Sequence, residues 1–109
     1  MSWFVKFYKT SREELPVQEF VETLDESTYG KYINAVRMLK EYGPFLKPPI
    51  SKKISSHIYE LRITGEINVR IFYTIINNDF YLLHGFKKQS QKTPPKEIKK
   101  AIDRYKEII

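Results

Sequence analysis

The stretch IYELRITGEINVRIFYTIINNDFYLLHGFK, residues 58–87, decides the fold. Two polar interruptions, Thr64-Gly65-Glu66 and Asn77-Asn78-Asp79, divide it into three runs at 58–63, 68–76 and 80–87. Runs rich in β-branched and aromatic residues, bounded by Gly, Asn and Asp, read as strands joined by tight turns. Turns this short oblige neighbouring strands to run antiparallel.

Alternation assigns the faces of these strands. Tyr59, Leu61 and Ile63 share one side of the first and Val69, Ile71, Tyr73 and Ile75 one side of the second, with Glu60, Arg62, Arg70, Phe72 and Thr74 on the other. Matching apolar face to apolar face puts Leu61 beside Ile71 and Ile63 beside Val69, and Arg62 then stands directly opposite Arg70. A two-residue turn at Asn78-Asp79 would carry Lys87 to the position opposite Arg70 on the third strand. By the same parity His84 joins Tyr73 and Leu82 as a core histidine.

Outward from this sheet, WFVKFY (3–8) reads as a first strand. Pro16 suits a helix start, and Val17, Phe20, Val21 and Leu24 follow at helical spacing. A second helix opens with Ser27 as N-cap, shows Tyr29, Tyr32, Ile33, Val36 and Leu39 on one side, and stops at Gly43-Pro44. Pro44 to His57 reads as a basic, proline-punctuated loop, long enough for so small a chain to be a functional suspect. Thr93 and Pro94 form an N-cap and first-turn pair for a last helix, whose stripe is Ile98, Ala101, Ile102 and Tyr105. The order β-α-α-β-β-β-α predicts an α+β fold: a small, mainly antiparallel sheet with the helices on one face, in a single domain over 1–109.

Composition narrows the function. A chain of 109 residues, 41% hydrophobic and 29% charged, has the make-up of a globular domain. With no cysteine it has no disulfide, thiolate metal site or cysteine nucleophile, and two histidines far apart give no metal site. No cofactor motif is present, neither a glycine-rich phosphate loop nor a serine elbow. The longest apolar run is Phe80 to Leu83, so nothing spans a membrane, and the N-terminus lacks the pattern of a signal peptide. The cytoplasm is the expected location.

The net charge of +6 is uneven. Residues 1–42 hold six Lys/Arg against seven Asp/Glu, and residues 43–109 hold thirteen against six. So lopsided a distribution points to a polyanion partner, nucleic acid above all. Like charges facing each other across a sheet destabilise by up to about 1 kcal/mol each. Arg62, Arg70 and Lys87 gathered on one face therefore ask for an anion or a good deal of water, and the company of Lys88, Lys92, Lys52 and Lys53 favours the anion. Guanidinium groups fork onto phosphate oxygens, which suits Arg62 and Arg70 to a scissile phosphate. Phe72 shares their face and either stacks a base or covers the sheet. His57, at the mouth of the basic loop, is a candidate proton acceptor. Glu60 is either the electrostatic partner of Arg62 or a general base.

The element order, the segment PPISKKISSHIYELRI, the strand NVRIFYTI and the run YLLHGFKKQSQKTPPKEIKKAIDRYKEI resemble the RelE/ParE toxin superfamily, in its phage-derived, HigB-like branch. The resemblance covers nearly the whole chain and is most specific in LLHGFKKQSQKTP and the helix after it. It implies the toxin of a type II toxin–antitoxin system: a ribosome-dependent mRNA endonuclease, or mRNA interferase, held inactive by a cognate antitoxin, itself expected to be a helix-turn-helix protein. In such enzymes the 2′-hydroxyl attacks the adjacent phosphate while basic side chains on a concave sheet stabilise the transition state. Carried over by position, the strand arginine of the family matches Arg70, the basic position on the preceding strand best matches Arg62, and the one after the last strand matches Lys88 or Lys87. RelE has a tyrosine beyond its last strand, where this chain has Gln89 to Thr93. ParE members share the fold and inhibit DNA gyrase without being enzymes, and an inactive nucleic-acid-binding relative is a further alternative. On the interferase reading Arg70→Ala is expected to abolish cleavage and spare the fold, because Arg70 lies off the apolar face.

Overall fold

The computed structural model describes residues 3–109. Its elements are β1 (Phe4–Phe7), α1 (Pro16–Val21), α2 (Glu26–Tyr42), β2 (Ser51–Lys53), β3 (Tyr59–Ile63), β4 (Val69–Ile76), β5 (Asp79–Lys87) and α3 (Pro95–Ile108), with one 3-10 turn at Gly43–Phe45. The sheet order is β1-β5-β4-β3-β2. All pairs are antiparallel except β1 with β5, which run parallel. The α+β class and the mostly antiparallel sheet are those expected. The basic loop is not wholly irregular: Ser51–Lys53 adds an edge strand to β3.

The β3–β4 register is the one that apolar matching demands, with Leu61 facing Ile71, Ile63 facing Val69 and Arg62 facing Arg70. The β4–β5 register is not. The turn falls at Asn77-Asn78, Asn77 taking a positive φ of 58°, so Ile76 pairs with Asp79. A bulge then inserts Leu83 between the partners of Tyr73 and Phe72. Beyond it Phe86, not Lys87, faces Arg70, while Lys87 faces Val69 and is turned to the other side of the sheet. His84 likewise faces Phe72 and stands on the arginine side, not with Tyr73 and Leu82.

Each face has its own core. On one, α1 and α2 cover Leu61, Ile63, Val69, Ile71, Tyr73, Phe80 and Leu82 with Val17, Val21, Tyr32, Ala35 and Leu39. On the other, α3 brings Ala101, flanked by Ile98, Ile102 and Tyr105, onto Ile58, Phe72, Leu83 and Phe86. The helices therefore occupy both faces, because the bulge places Leu83 and Phe86 on the side where a single apolar helix stripe can cover them.

Capping also departs from expectation. Asp25, not Ser27, caps α2, its carboxylate accepting the Thr28 amide at 3.2 Å. Tyr29 and Ile33 of the expected α2 stripe are exposed, and Thr28 and Ala35 take the buried positions instead. Pro94 stands at the cap of α3 with Pro95 first inside, which frees Thr93 for another partner.

Candidate nucleic-acid interface

The part of the arginine face that α3 leaves uncovered is built on Glu60, which alternation directs away from the α1–α2 core. Its carboxylate is 2% exposed, so a charge there needs partners. Oε1 accepts Arg62 Nε at 3.1 Å and lies 3.8 Å from Arg70 Nε. Oε2 accepts the Thr93 hydroxyl at 3.0 Å. One carboxylate thus offsets the repulsion between two arginines fixed opposite each other by strand register. With both oxygens engaged and buried, Glu60 serves as a seat for the arginines rather than as a free base.

Arg70 is itself buried, with 9% exposure. One terminal nitrogen donates to the Val69 carbonyl at 3.3 Å, and Nε, closed off from solvent, has no hydrogen-bond partner. Burial holds its pKa below the ordinary arginine value, Glu60 pulling it back up and Arg62 lowering it further. An arginine remains cationic even so. Arg62 keeps 29% of its side chain exposed and is the more open of the two.

Beside the arginines lies a second polar cluster. His84 Nε2 is 2.6 Å from Glu97 Oε1, and Nδ1 is 3.4 Å from Arg104. Arg104 also donates to the Leu83 carbonyl at 2.9 Å, at the bulge itself. Burial pushes the imidazole pKa down, as do Arg104 and Lys100, and Glu97 opposes them without prevailing. Both ring nitrogens face α3 groups, so His84 fastens that helix to the sheet.

The other expected residues divide. Lys52 pairs with Glu60 and shares its face, exposed at the sheet edge. Lys53 is on the opposite parity, its ammonium 5.9 Å from the Tyr59 ring centroid. Lys88 continues the strand on the Arg70 side, its amide bonded to the Asn68 carbonyl and its Nζ to the Gln91 carbonyl at 2.9 Å. Lys92 is exposed in the same loop. Lys87 is off this face, as the bulge dictates. Phe72 is fully buried under α3 between His84 and Phe86, so it covers the sheet and has no free face for a base. His57 stacks on Tyr105 at 5.0 Å, and five residues at about 3.3 Å each place it on the order of 15 Å from Arg62 along the strand. The structure does not bring it to the arginines.

Sequence reasoning missed Thr93 as a partner of Glu60, and His84, Glu97 and Arg104 as a cluster. A signal for the last was present. Leu82-Leu83 breaks the alternation and Gly85 follows, the pattern of a bulged strand. Gly85 is demanded locally too, since a Cβ there would stand 2.7 Å from the Phe20 ring.

The family described as phage derived protein Gp49-like (DUF891) matches residues 19–106. That span contains Glu60, both arginines, Thr93 and nearly all of α3. No curated protein matches the chain. The family match takes in well over half of the sequence, and this chain belongs to the Gp49-like phage-derived family, within the RelE/HigB-like toxin superfamily, whose members are commonly toxins kept in check by an antitoxin partner.

Proposed function

We infer that this chain works as a single toxin domain of the HigB-like branch, cutting mRNA in the decoding site of cytoplasmic ribosomes. The observation that carries the reading is the pair Arg62–Arg70 seated on buried Glu60, with Arg62 still partly open to solvent. Two guanidinium groups held side by side by strand register offer forked donors, and phosphate oxygens are the acceptors that such groups fit best.

Cleavage proceeds by attack of the 2′-oxygen on the adjacent phosphorus. The P–O5′ bond breaks, the 2′-proton is lost to solvent or a nearby base, and the 5′-oxygen takes up a proton as it leaves. The products are a 2′,3′-cyclic phosphate and a 5′-hydroxyl. Arg62 and Arg70 stabilise the extra negative charge on the non-bridging oxygens, and Lys52, Lys88 and Lys92 hold the flanking backbone. The ribosome supplies a splayed, single-stranded message.

Primer extension on a defined message in a cell-free translation reaction, with and without ribosomes, tests the assignment. Arg70→Lys keeps the charge but loses the fork, and should slow cleavage about a hundredfold. It is a better probe than Arg70→Ala, which would leave a hole beside Glu60 at a nine-tenths buried site. Full-rate cleavage by folded Arg70→Lys sinks the assignment. Intact message with growth arrest would point to gyrase instead.

A further inference from the structure

An arginine that meets a carboxylate readily makes two parallel bonds, one to each oxygen. Arg62 makes one. It donates to Glu60 from Nε alone, and its terminal nitrogens have no hydrogen bond to any described residue. The second oxygen is already taken, because Oε2 accepts the Thr93 hydroxyl at 3.0 Å. The two arginines are left with Oε1, Arg62 at 3.1 Å and Arg70 at 3.8 Å.

The chain around Thr93 is built to deliver that hydroxyl. Thr93 precedes a proline, which disfavours helical backbone at its own position. The helix after it has Pro94 at its cap and Pro95 first inside, neither of which carries an N–H for Thr93 to cap. On the other side the Lys88 amide is held by the Asn68 carbonyl, and Ser90 Oγ donates to the Lys92 carbonyl at 2.8 Å. Thr93 is thereby fixed between a strand end and a helix start, with its hydroxyl on a carboxylate 33 residues earlier.

We propose that Thr93 is a positioning residue for the phosphate site: by occupying Oε2 it keeps Glu60 from drawing in a terminal nitrogen of Arg62, and so leaves that end of the guanidinium for a phosphate oxygen of the RNA. The proposal rests on the phosphate-binding reading of this face and deepens it by naming what keeps the arginine free. Glu60 is 2% exposed, and a buried carboxylate oxygen that loses its donor must find another. The guanidinium already bonded to Oε1 is at hand to supply it. A fork closed onto Glu60 would occupy the same donors that a phosphate needs. Arg62, with 29% of its side chain exposed, is the arginine that a phosphate can reach.

The test compares wild type with Thr93→Val, which keeps the shape and loses the hydroxyl, and Thr93→Ser, which keeps the hydroxyl. Inorganic phosphate is titrated against each and followed on the arginine side-chain NMR signals, and cleavage is timed on programmed ribosomes. Thr93→Val should weaken phosphate binding about fivefold. It should lower kcat about tenfold while KM stays within about twofold, because the contact at stake matters most as charge builds on the phosphate. Thr93→Ser should match wild type in both assays, and circular dichroism checks that each variant folds. Wild-type phosphate binding and kcat in folded Thr93→Val overturn the proposal. So does a Thr93→Ser protein as impaired as Thr93→Val, which would assign the effect to the lost packing. A raised KM at unchanged kcat overturns it too, placing Thr93 among the residues that merely hold the message. A wild-type chain that binds phosphate at these signals yet leaves the message intact removes the interferase reading, and the phosphate titration of Thr93→Val then decides the proposal by itself. A wild-type chain whose arginine signals ignore phosphate removes both.

Discussion

Glu60 sits where two guanidinium groups would otherwise face each other bare across adjacent strands. Removing its charge leaves the arginines repelling in a poorly solvated place. Glu60→Gln keeps the shape and should cost about 2 kcal/mol, less than a fully buried pair loses because Arg62 is partly solvated. The check is the urea midpoint at unchanged slope. His84 makes a second prediction at this scale. Its folded pKa is depressed by burial, and an unfolded histidine titrates near 6.5. Below that value the unfolded chain takes up a proton that the folded one refuses, so stability should fall as pH drops from about 7 through the folded pKa and level off beneath it. His84→Gln should flatten that part of the curve in urea melts between pH 5 and 7.5.

Among the elements, β5 decides which residues meet. Apolar matching was sufficient to place β3 on β4 and so to find Arg62 opposite Arg70, because slipping β4 by one residue would turn Arg70 into the α1–α2 core and Ile71 out of it. It failed on β5, where both faces are covered and the run Phe80 to Leu83 carries no alternation to read. The bulge moved His84 onto the arginine side and Lys87 off it. Thr93 was legible as a polar residue before a helix, but its bond to Glu60 links a loop to a strand residue 33 positions away, which no local pattern encodes. Phe72 was legible as sharing the arginine face, yet its burial depends on where α3 lands. Gly85→Ala tests how tightly this arrangement is packed. Its methyl would meet the Phe20 ring of α1, and forcing α1 outward should cost about 2 kcal/mol in thermal or urea denaturation.

At the scale of the whole molecule, the charge excess of residues 43–109 is spread over one sheet edge, the loop after β5 and α3. Lys52 and Lys88 are spaced along the arginine face, and Lys92 is exposed in the loop that follows, rather than clustered with the buried pair. If they follow an RNA backbone, each contributes about 0.7 to the slope of log K against log salt on a single strand. The triple alanine variant should lower that slope by roughly 2, leaving the fold unchanged, as filter binding across a salt series would show. No helix among the described residues is long and apolar enough to cross a membrane.

The parallel pairing of β1 with β5 also sets a timetable. Phe4 docks beside Asp79 and Phe7 beside Leu82, so the earliest strand to leave the ribosome has no neighbour until most of the chain has followed it. Thr93 and α3, which tether Glu60 and fasten the sheet, emerge later still. A ribosome making this protein has therefore laid down Glu60 and both arginines well before it supplies Thr93 and α3, so the seat is closed only by the last stretch of chain to emerge.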